Sequence, residues 1–280
     1  MKWDPSKYTE FANYRGRPYE DLLGQLGEIT PQRVVDLGCG PGNKTSLLAQ
    51  RWPAAQVTGL DSSPEMITQA QDTARLTNLD FELVDVRQWH PNDEVDLLFS
   101  NAMLQWLPEH RDLLKTWLKD LKTGAHVAIQ VPGNFGSASH VVMRQLADSH
   151  KWADKLSGIL RHDDAVSEPE AYQRLLLDAG FQANVWETTY HQVLLGEDPI
   201  LDWVRGTALL PVKAALTEGD YVDFEADYSR EVAGHYPSVS APDGAKLTNF
   251  PFRRIFMIGR KLAEECRVRI LPEISAGARG

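Results

Sequence analysis

The chain has 280 residues, of which 42% are hydrophobic, and a formal net charge of −10. A chain of this length and composition can bury the core of one large α/β domain. The acidic balance argues against nucleic-acid and membrane-surface partners, because both select for excess Lys and Arg. The two cysteines, Cys39 and Cys266, show neither metal-ligand spacing nor a disulfide framework. We therefore expect a cytoplasmic protein without a bound metal.

Short apolar runs alternate with helical patterns through the first half of the chain. Strands are predicted over residues 33–37, 56–60, 81–84, 95–100 and 126–131, and helices over 43–51, 64–75 and 112–121. This alternation is typical of a parallel sheet with crossover helices.

The second half is less regular. A helix is predicted over 169–179, a strand over 181–194 and a final apolar strand over 251–260. The segment 196–249 is too long for a bare loop, so we expect a helical cap there. The pattern predicts a seven-stranded, mostly parallel sheet in which the final strand is the antiparallel one.

Three glycines interrupt the apolar run in VVDLGCGPGN, residues 34–43, at Gly38, Gly40 and Gly42. Glycines after a strand let the backbone approach a ligand closely. Their spacing is neither the GxGxxG of dinucleotide sites nor the GxxxxGK[ST] of phosphate loops. Asp36 precedes them and would repel a pyrophosphate. The loop therefore favours a ligand with a cation, an amino group and hydroxyls, but no phosphate.

VVDLGCGPGN resembles the first motif of class I S-adenosylmethionine-dependent methyltransferases. The resemblance implies a Rossmann-like sheet and S-adenosylmethionine as cofactor. Three later features fit that ligand: Asp61 for the ribose hydroxyls, Asp85 and Val86 for the adenine, and Asn101 beside the sulfonium end. The complete predicted cofactor set is Asp36, Gly38, Gly40, Asn43, Asp61, Ser62, Met66, Asp85, Val86, Asn101, Gln105 and Trp106.

Segments outside the cofactor motif are similar to the trans-aconitate 2-methyltransferase family. They include WDPSKYTEFANYRGRP at 3–18, NAMLQWLPEH at 101–110, QVPGNFGSASH at 130–140 and PFRRIFMIGRK at 251–261. The resemblance implies methyl transfer to a carboxylate of trans-aconitate, giving a monomethyl ester and S-adenosylhomocysteine. It departs at Ser137 and Ala138, where a proline-containing turn is expected, and at Leu209, where an arginine is expected.

The resemblance also implies one methyltransferase domain over 1–262, with an N-terminal helical lid over about 1–28 and the cap over about 196–249. The remaining residues, 263–280, are predicted to form a C-terminal tail.

A carboxylate needs no general base, because its reference pKa is near 4 and it is ionised at neutral pH. We therefore predict no catalytic residue; the protein positions and desolvates the reactants. A tricarboxylate does require cations, and guanidinium groups bind carboxylates in a two-pronged manner. The predicted substrate-binding residues are Arg15, Arg17, His140, Tyr190, Trp203, Arg205, Arg253 and Arg254.

Each of these arginines has an alternative role. Arg205, Arg253 and Arg254 could form salt bridges to internal carboxylates, and Arg15 and Arg17 could lie on a solvated helix face.

Two other functions stay open at this point. The acceptor could be another carboxylate, such as a malonyl group on a carrier protein, which would favour a basic docking surface. The chain could instead be a non-catalytic S-adenosylmethionine-binding protein, which would keep the glycine loop without needing arginines. We expect a small-molecule carboxylate as the partner, and neither nucleic acid nor membrane.

Overall fold

The computed structural model describes residues 12–73, 75–161 and 163–267. The strands are β1 (Arg33–Leu37), β2 (Gln56–Asp61), β3 (Leu79–Leu83), β4 (Leu97–Asn101), β5 (His126–Pro132), β6 (Phe181–Leu195), β7 (Ser238–Ser240) and β8 (Lys246–Lys261). The helices are α1 (Ala12–Gln25), α2 (Asn43–Arg51), α3 (Pro64–Thr73), α4 (His110–Asp120), α5 (Ala138–Ala147), α6 (Ala153–Leu156), α7 (Pro169–Asp178), α8 (Pro199–Arg205), α9 (Leu210–Ala215), α10 (Glu218–Ala233) and α11 (Glu264–Arg267).

The strands form one sheet in the order β3-β2-β1-β4-β5-β8-β6, and β7 pairs with β8. Strands β1 to β5 pair in parallel. Strand β8 is antiparallel to β5, since Lys261 N–H donates to the Ala125 carbonyl while Gly133 N–H donates to the Arg253 carbonyl. The mostly parallel sheet with an antiparallel final strand is confirmed, and β7 adds a short eighth strand to the seven predicted.

The central strands are buried along almost their whole length. Val34, Leu97 and Val127, on β1, β4 and β5, are completely inaccessible to water. Continuous apolar strands of this kind are characteristic of parallel sheets covered on both faces. Their polar residues are therefore confined to the strand ends, and Asp36, Asp61 and Asn101 all lie at or near the carboxyl ends of β1, β2 and β4.

The described residues divide into two compact units. The acceptor unit, named for the role predicted for its residues, contains 12–18, 132–166 and 187–254; the loop unit contains 19–131, 167–186 and 255–267. The core of the acceptor unit is aromatic and includes Trp152, Phe224 and Phe250. The segment predicted as a cap contains helices α8, α9 and α10 together with β7. Its role as a cap stays a prediction, as do the expected lid and tail. None of the described helices combines the length and apolar character required to cross a membrane.

Lys261, at the end of β8, is a buried cation that caps the C-terminal end of helix α4. Its side chain is only 7% exposed. The ammonium group donates to the carbonyl oxygens of Leu118, Lys119 and Leu121 at 2.8, 2.6 and 2.6 Å. The last carbonyls of a helix have no partner within the helix, and a cation there also interacts favourably with the helix dipole. Lys261 therefore joins the final strand to the end of α4.

Replacing Lys261 by Met should lower the free energy of unfolding by about 2–4 kcal/mol, because buried carbonyls lose a charged donor. Lys119→Met is the matched control, since that side chain is exposed at the same helix end, and it should cost less than about 1 kcal/mol. Urea denaturation of the parent and both variants measures the difference. Equal midpoints for the two variants would contradict this role for Lys261.

Candidate functional site

The glycine loop after β1 has a conformation that glycine tolerates and other residues resist. Gly38, Gly40 and Gly42 have φ angles of 74°, 55° and 80°, in the left-handed region. A Cβ on Gly38 would lie 2.2 Å from Cγ of Met103, and one on Gly42 would lie 2.5 Å from Cζ of Phe81. A Cβ on Gly40 would meet nothing within 4 Å. Neighbouring side chains therefore leave no room for a Cβ at Gly38 or Gly42. Above Gly40 the loop backbone is open, and we call this open space the cradle.

Asp61, at the end of β2, fixes the backbone of the glycine loop. Its two carboxylate oxygens accept the Gly40 N–H and the Ser63 N–H, each at 2.9 Å. A carboxylate has about four lone-pair positions, so two remain for the ribose hydroxyls that the sequence assigns to Asp61. The same side chain thus shapes the loop and can bind a diol.

Asp36 is an acid kept almost entirely out of water, with 3% of its surface exposed. Burial raises its pKa to about 7, against the lowering effect of the Thr45 hydroxyl, which donates to Oδ2 at 2.6 Å. The neighbouring Asp61 carboxylate raises the pKa further. Because the folded pKa lies above the unfolded one, this group's stabilising effect is complete below about pH 4 and lost as the pH rises through 7. A cation bound near Asp36 would favour the ionised form and oppose that loss.

Unpaired polar groups lie at the carboxyl ends of β4 and β5. Asn101 and Gln130 are register partners, and Oδ1 of Asn101 and both amide atoms of Gln130 are buried without a hydrogen-bond partner among the described residues. Such groups are costly unless a ligand or water pairs with them. Ala102, directly after Asn101, has a φ of 57°, a strained value for a residue with a Cβ. Ligands in open α/β sheets bind at this end of the strands.

These observations fit the predicted cofactor. The open glycine, the two acids and the unpaired amides are the groups that a ligand with a cation, hydroxyls and amino groups needs. Sequence reasoning missed Gln130, although a polar residue ending the apolar run HVAIQ was a usable signal.

Asp85 has a partner that the sequence did not indicate. Arg87 donates from Nε to Oδ1 at 2.9 Å and from Nη2 to Oδ2 at 2.7 Å, and this pairing lowers the pKa of Asp85. The pair is open to water, so it is weak enough to exchange for another donor. Its assignment to adenine stays a prediction. Among the remaining predicted cofactor residues, Val86 and Gln105 are buried, Met66 is half-buried, and Asn43, Ser62 and Trp106 are exposed.

Two of the arginines predicted to bind substrate are engaged by internal acids. Arg205 donates from Nε to Oε1 of Glu225 at 2.8 Å and from Nη2 to Oε2 at 3.2 Å. Arg253 donates from Nε to Oε2 of Glu187 at 2.9 Å. Both side chains thus form salt bridges, which was the alternative to substrate binding. Any substrate role would require them to exchange these partners.

The other predicted substrate residues have varied surroundings. Arg254 is buried, with its guanidinium 4.2 Å from the centre of the Phe252 ring. Arg17 lies over the ring of the buried Tyr190 at 5.1 Å. Trp203 packs against Phe250 and Phe252 in the core of the acceptor unit. The side chain of Arg15 lies outside the described residues. Aromatic packing is therefore the visible role of Tyr190 and Trp203.

His140 alone among the predicted substrate residues lines a cavity described in the acceptor unit. Arg144 and Arg161 line it as well. Sequence reasoning missed both arginines. The available signal was the spacing in HVVMR, since residues four apart share a helix face and His140 and Arg144 would then point the same way.

The chain was compared with known families and structures. A family model described as a methyltransferase domain matches residues 34–124. The trans-aconitate 2-methyltransferase of Streptomyces avermitilis is 49% identical over 93% of this chain and 97% of that protein. The protein of the same name from Rhodococcus jostii is 47% identical over 92% of this chain and 99% of its own. The chain belongs to the trans-aconitate 2-methyltransferase family. The predicted methyltransferase activity and S-adenosylmethionine cofactor are thereby confirmed.

Solved structures agree on the fold. The YcgJ protein from Bacillus subtilis superimposes with a TM-score of 0.57 at 14% identity, covering 88% of this chain and 99% of that one. Geranyl diphosphate C-methyltransferase from Streptomyces coelicolor gives 0.51 at 15% identity, covering 91% and 82%. The class I methyltransferase fold is confirmed.

Replacing Gly40 by Ala should weaken S-adenosylmethionine binding by about tenfold or more, because the added methyl group occupies the cradle. Gly27→Ala is the matched control, since Gly27 also has a positive φ, of 65°, and open space at its Cβ. Both variants should lose about 1–2 kcal/mol of stability to backbone strain, but only Gly40→Ala should lose affinity in titration calorimetry. Equal affinities would show that the cradle does not contact the cofactor.

Proposed function

We propose that this protein transfers a methyl group from S-adenosylmethionine to a carboxylate of trans-aconitate, giving a monomethyl ester. One observation carries the proposal. Relatives at 42–49% identity over 91–93% of the chain bear the name trans-aconitate 2-methyltransferase. Similarity of that extent reaches beyond the methyltransferase domain model, which matches residues 34–124 only.

The residues of the loop unit suit the donor. When bound, S-adenosylmethionine supplies a methyl group on a positively charged sulfur, which a carboxylate oxygen can accept. Asp36 provides negative charge beside the glycine loop, and Asp61 provides acceptor oxygens for hydroxyl groups. Oδ1 of Asn101 and both amide atoms of Gln130 are buried and have no hydrogen-bond partner among the described residues. Together these side chains would bind a cationic nucleoside and leave no role for a phosphate.

The acceptor explains why a general base is unnecessary. A carboxylate is already ionised at neutral pH, so the protein must only orient it and exclude water. A chain with a net charge of −10 repels a trianion at long range. Binding must therefore depend on a few cationic side chains in direct contact with the substrate.

The acceptor is proposed to be a free small molecule, without nucleic-acid or membrane partners. The cytoplasm is the proposed location, because Cys39 is a free, buried thiol and unpaired cysteines suit a reducing compartment.

Methyl-transfer assays with labelled S-adenosylmethionine test the proposal. The acceptors are trans-aconitate, cis-aconitate, citrate, isocitrate and a malonyl thioester. We expect trans-aconitate to have a kcat/KM at least about tenfold above the others, because the enzyme must recognise the placement of several carboxylates. The label should be released as methanol by mild base, as an ester requires.

Two results would overturn the proposal. Preferential methylation of the malonyl thioester would assign a different carboxylate acceptor. Tight cofactor binding without transfer to any of these acids would indicate a binding protein.

A further inference from the structure

A small cavity in the acceptor unit has a volume of about 20 Å³. A space of this size holds about one water-sized group. Its apolar wall includes Phe135, Leu160 and Pro211, and its polar wall consists of His140, Arg144 and Arg161. None of the described residues that line it carries a carboxylate. The cavity is thus a positively charged recess in a strongly acidic protein.

Arg144 is held in a fixed position at this recess. It is on α5, and its Nη1 donates to the Phe135 carbonyl at 2.8 Å and, more weakly, to the Arg161 carbonyl at 3.4 Å. Nη2 and Nε form no hydrogen bond or ion pair within the described part of the chain. One edge of the guanidinium therefore anchors the side chain, and the remaining donors stay available.

Arg161 supplies the second charge. Its guanidinium lies 5.3 Å from the centre of the Phe135 ring. Burial lowers its pKa to about 10, so the group still carries its charge at neutral pH. A partly desolvated cation gains more from an anionic partner than an exposed one does.

His140 contributes polarity rather than charge. Ser137 donates from Oγ to the Asn134 carbonyl at 2.6 Å, so its oxygen accepts from Ser139 Oγ at 3.0 Å. Ser139 Oγ must then accept from Nδ1 of His140 at 3.2 Å. This sequence of donors assigns the proton to Nδ1. Burial, followed by the charges of Arg144 and Arg161, lowers the pKa of His140 to about 4. The two guanidinium groups are therefore the only charged groups among the described residues that line the cavity.

We propose that Arg144 and Arg161 bind a carboxylate of the acceptor other than the one that is methylated. The inference rests on the proposed function. Two guanidinium groups offer opposite charge and paired donors to one carboxylate, and the cavity has room for about one oxygen-sized atom of that carboxylate. A carboxylate bound there has its lone pairs occupied by donors, so it is a poor nucleophile. The recess would favour acceptors that carry a second carboxylate.

The variant Arg144→Lys tests this, because it keeps the positive charge but loses the guanidinium fork. The KM for trans-aconitate should rise about tenfold or more, while kcat and S-adenosylmethionine affinity stay within about threefold. Arg161→Lys should behave in the same way. Arg230→Lys is the control, since that arginine of the acceptor unit is exposed and pairs with Asp227 on the same helix, and it should match the parent.

A substrate series separates recognition from a structural role. Dicarboxylates that lack one carboxylate of trans-aconitate in turn are assayed with the parent and with Arg144→Lys. For the analogue missing the carboxylate held by the recess, parent and variant should have the same KM. An equal loss with every analogue would overturn the proposal.

Calorimetric binding of trans-aconitate, with S-adenosylhomocysteine present, distinguishes this inference from the proposed function. Binding that weakens in Arg144→Lys without any methyl transfer by the parent would support the recess and refute the proposed function. Methyl transfer with parent-like KM in both lysine variants would refute the recess alone.

Discussion

The buried Asp36 carboxylate, which precedes three left-handed glycines in the chain, is the constraint on which the loop unit depends. The glycine loop keeps its shape because Gly38 and Gly42 leave room for Met103 and Phe81, and because Asp61 accepts the Gly40 N–H. The buried acid resists ionisation, with its pKa raised to about 7. The fold thus holds a destabilising group at neutral pH, and a cationic ligand is the kind of partner that relieves it.

In the functions proposed above, side chains of opposite charge serve the two reactants. In the loop unit, acids and amides would bind a positively charged methyl donor. In the acceptor unit, Arg144 and Arg161 would bind a polyanion, and His140 stays uncharged near neutral pH because its pKa is lowered to about 4. Neither set is proposed to take a proton from the acceptor, because a carboxylate is already ionised at neutral pH. Catalysis in this account comes from binding and orienting two reactants of opposite charge and removing water from them.

The loop unit was largely predictable from sequence, and the acceptor unit was not. Hydrophobic periodicity located β1 to β5 within a few residues, and the glycine spacing located a loop with three left-handed glycines, because both depend on local sequence. The pairing of Arg253 with Glu187 joins residues 66 apart, and the capping of α4 by Lys261 spans more than 100. Such partners depend on strand register and tertiary packing, which periodicity does not encode. Arg144 was missed because α5 was not predicted, so its shared helix face with His140 was not considered. Arg161 lies outside α5 and reaches the same cavity only through tertiary packing.

The most direct test of the account is proton release on cofactor binding, measured by titration calorimetry at pH 6.5 in buffers of different ionisation enthalpy. Asp36 is largely protonated at that pH if its pKa is about 7. A bound sulfonium and ammonium should ionise it, so S-adenosylmethionine should release more than about half a proton per site. A binding enthalpy that does not depend on the buffer would contradict the claim that the buried acid recognises the charge of the methyl donor.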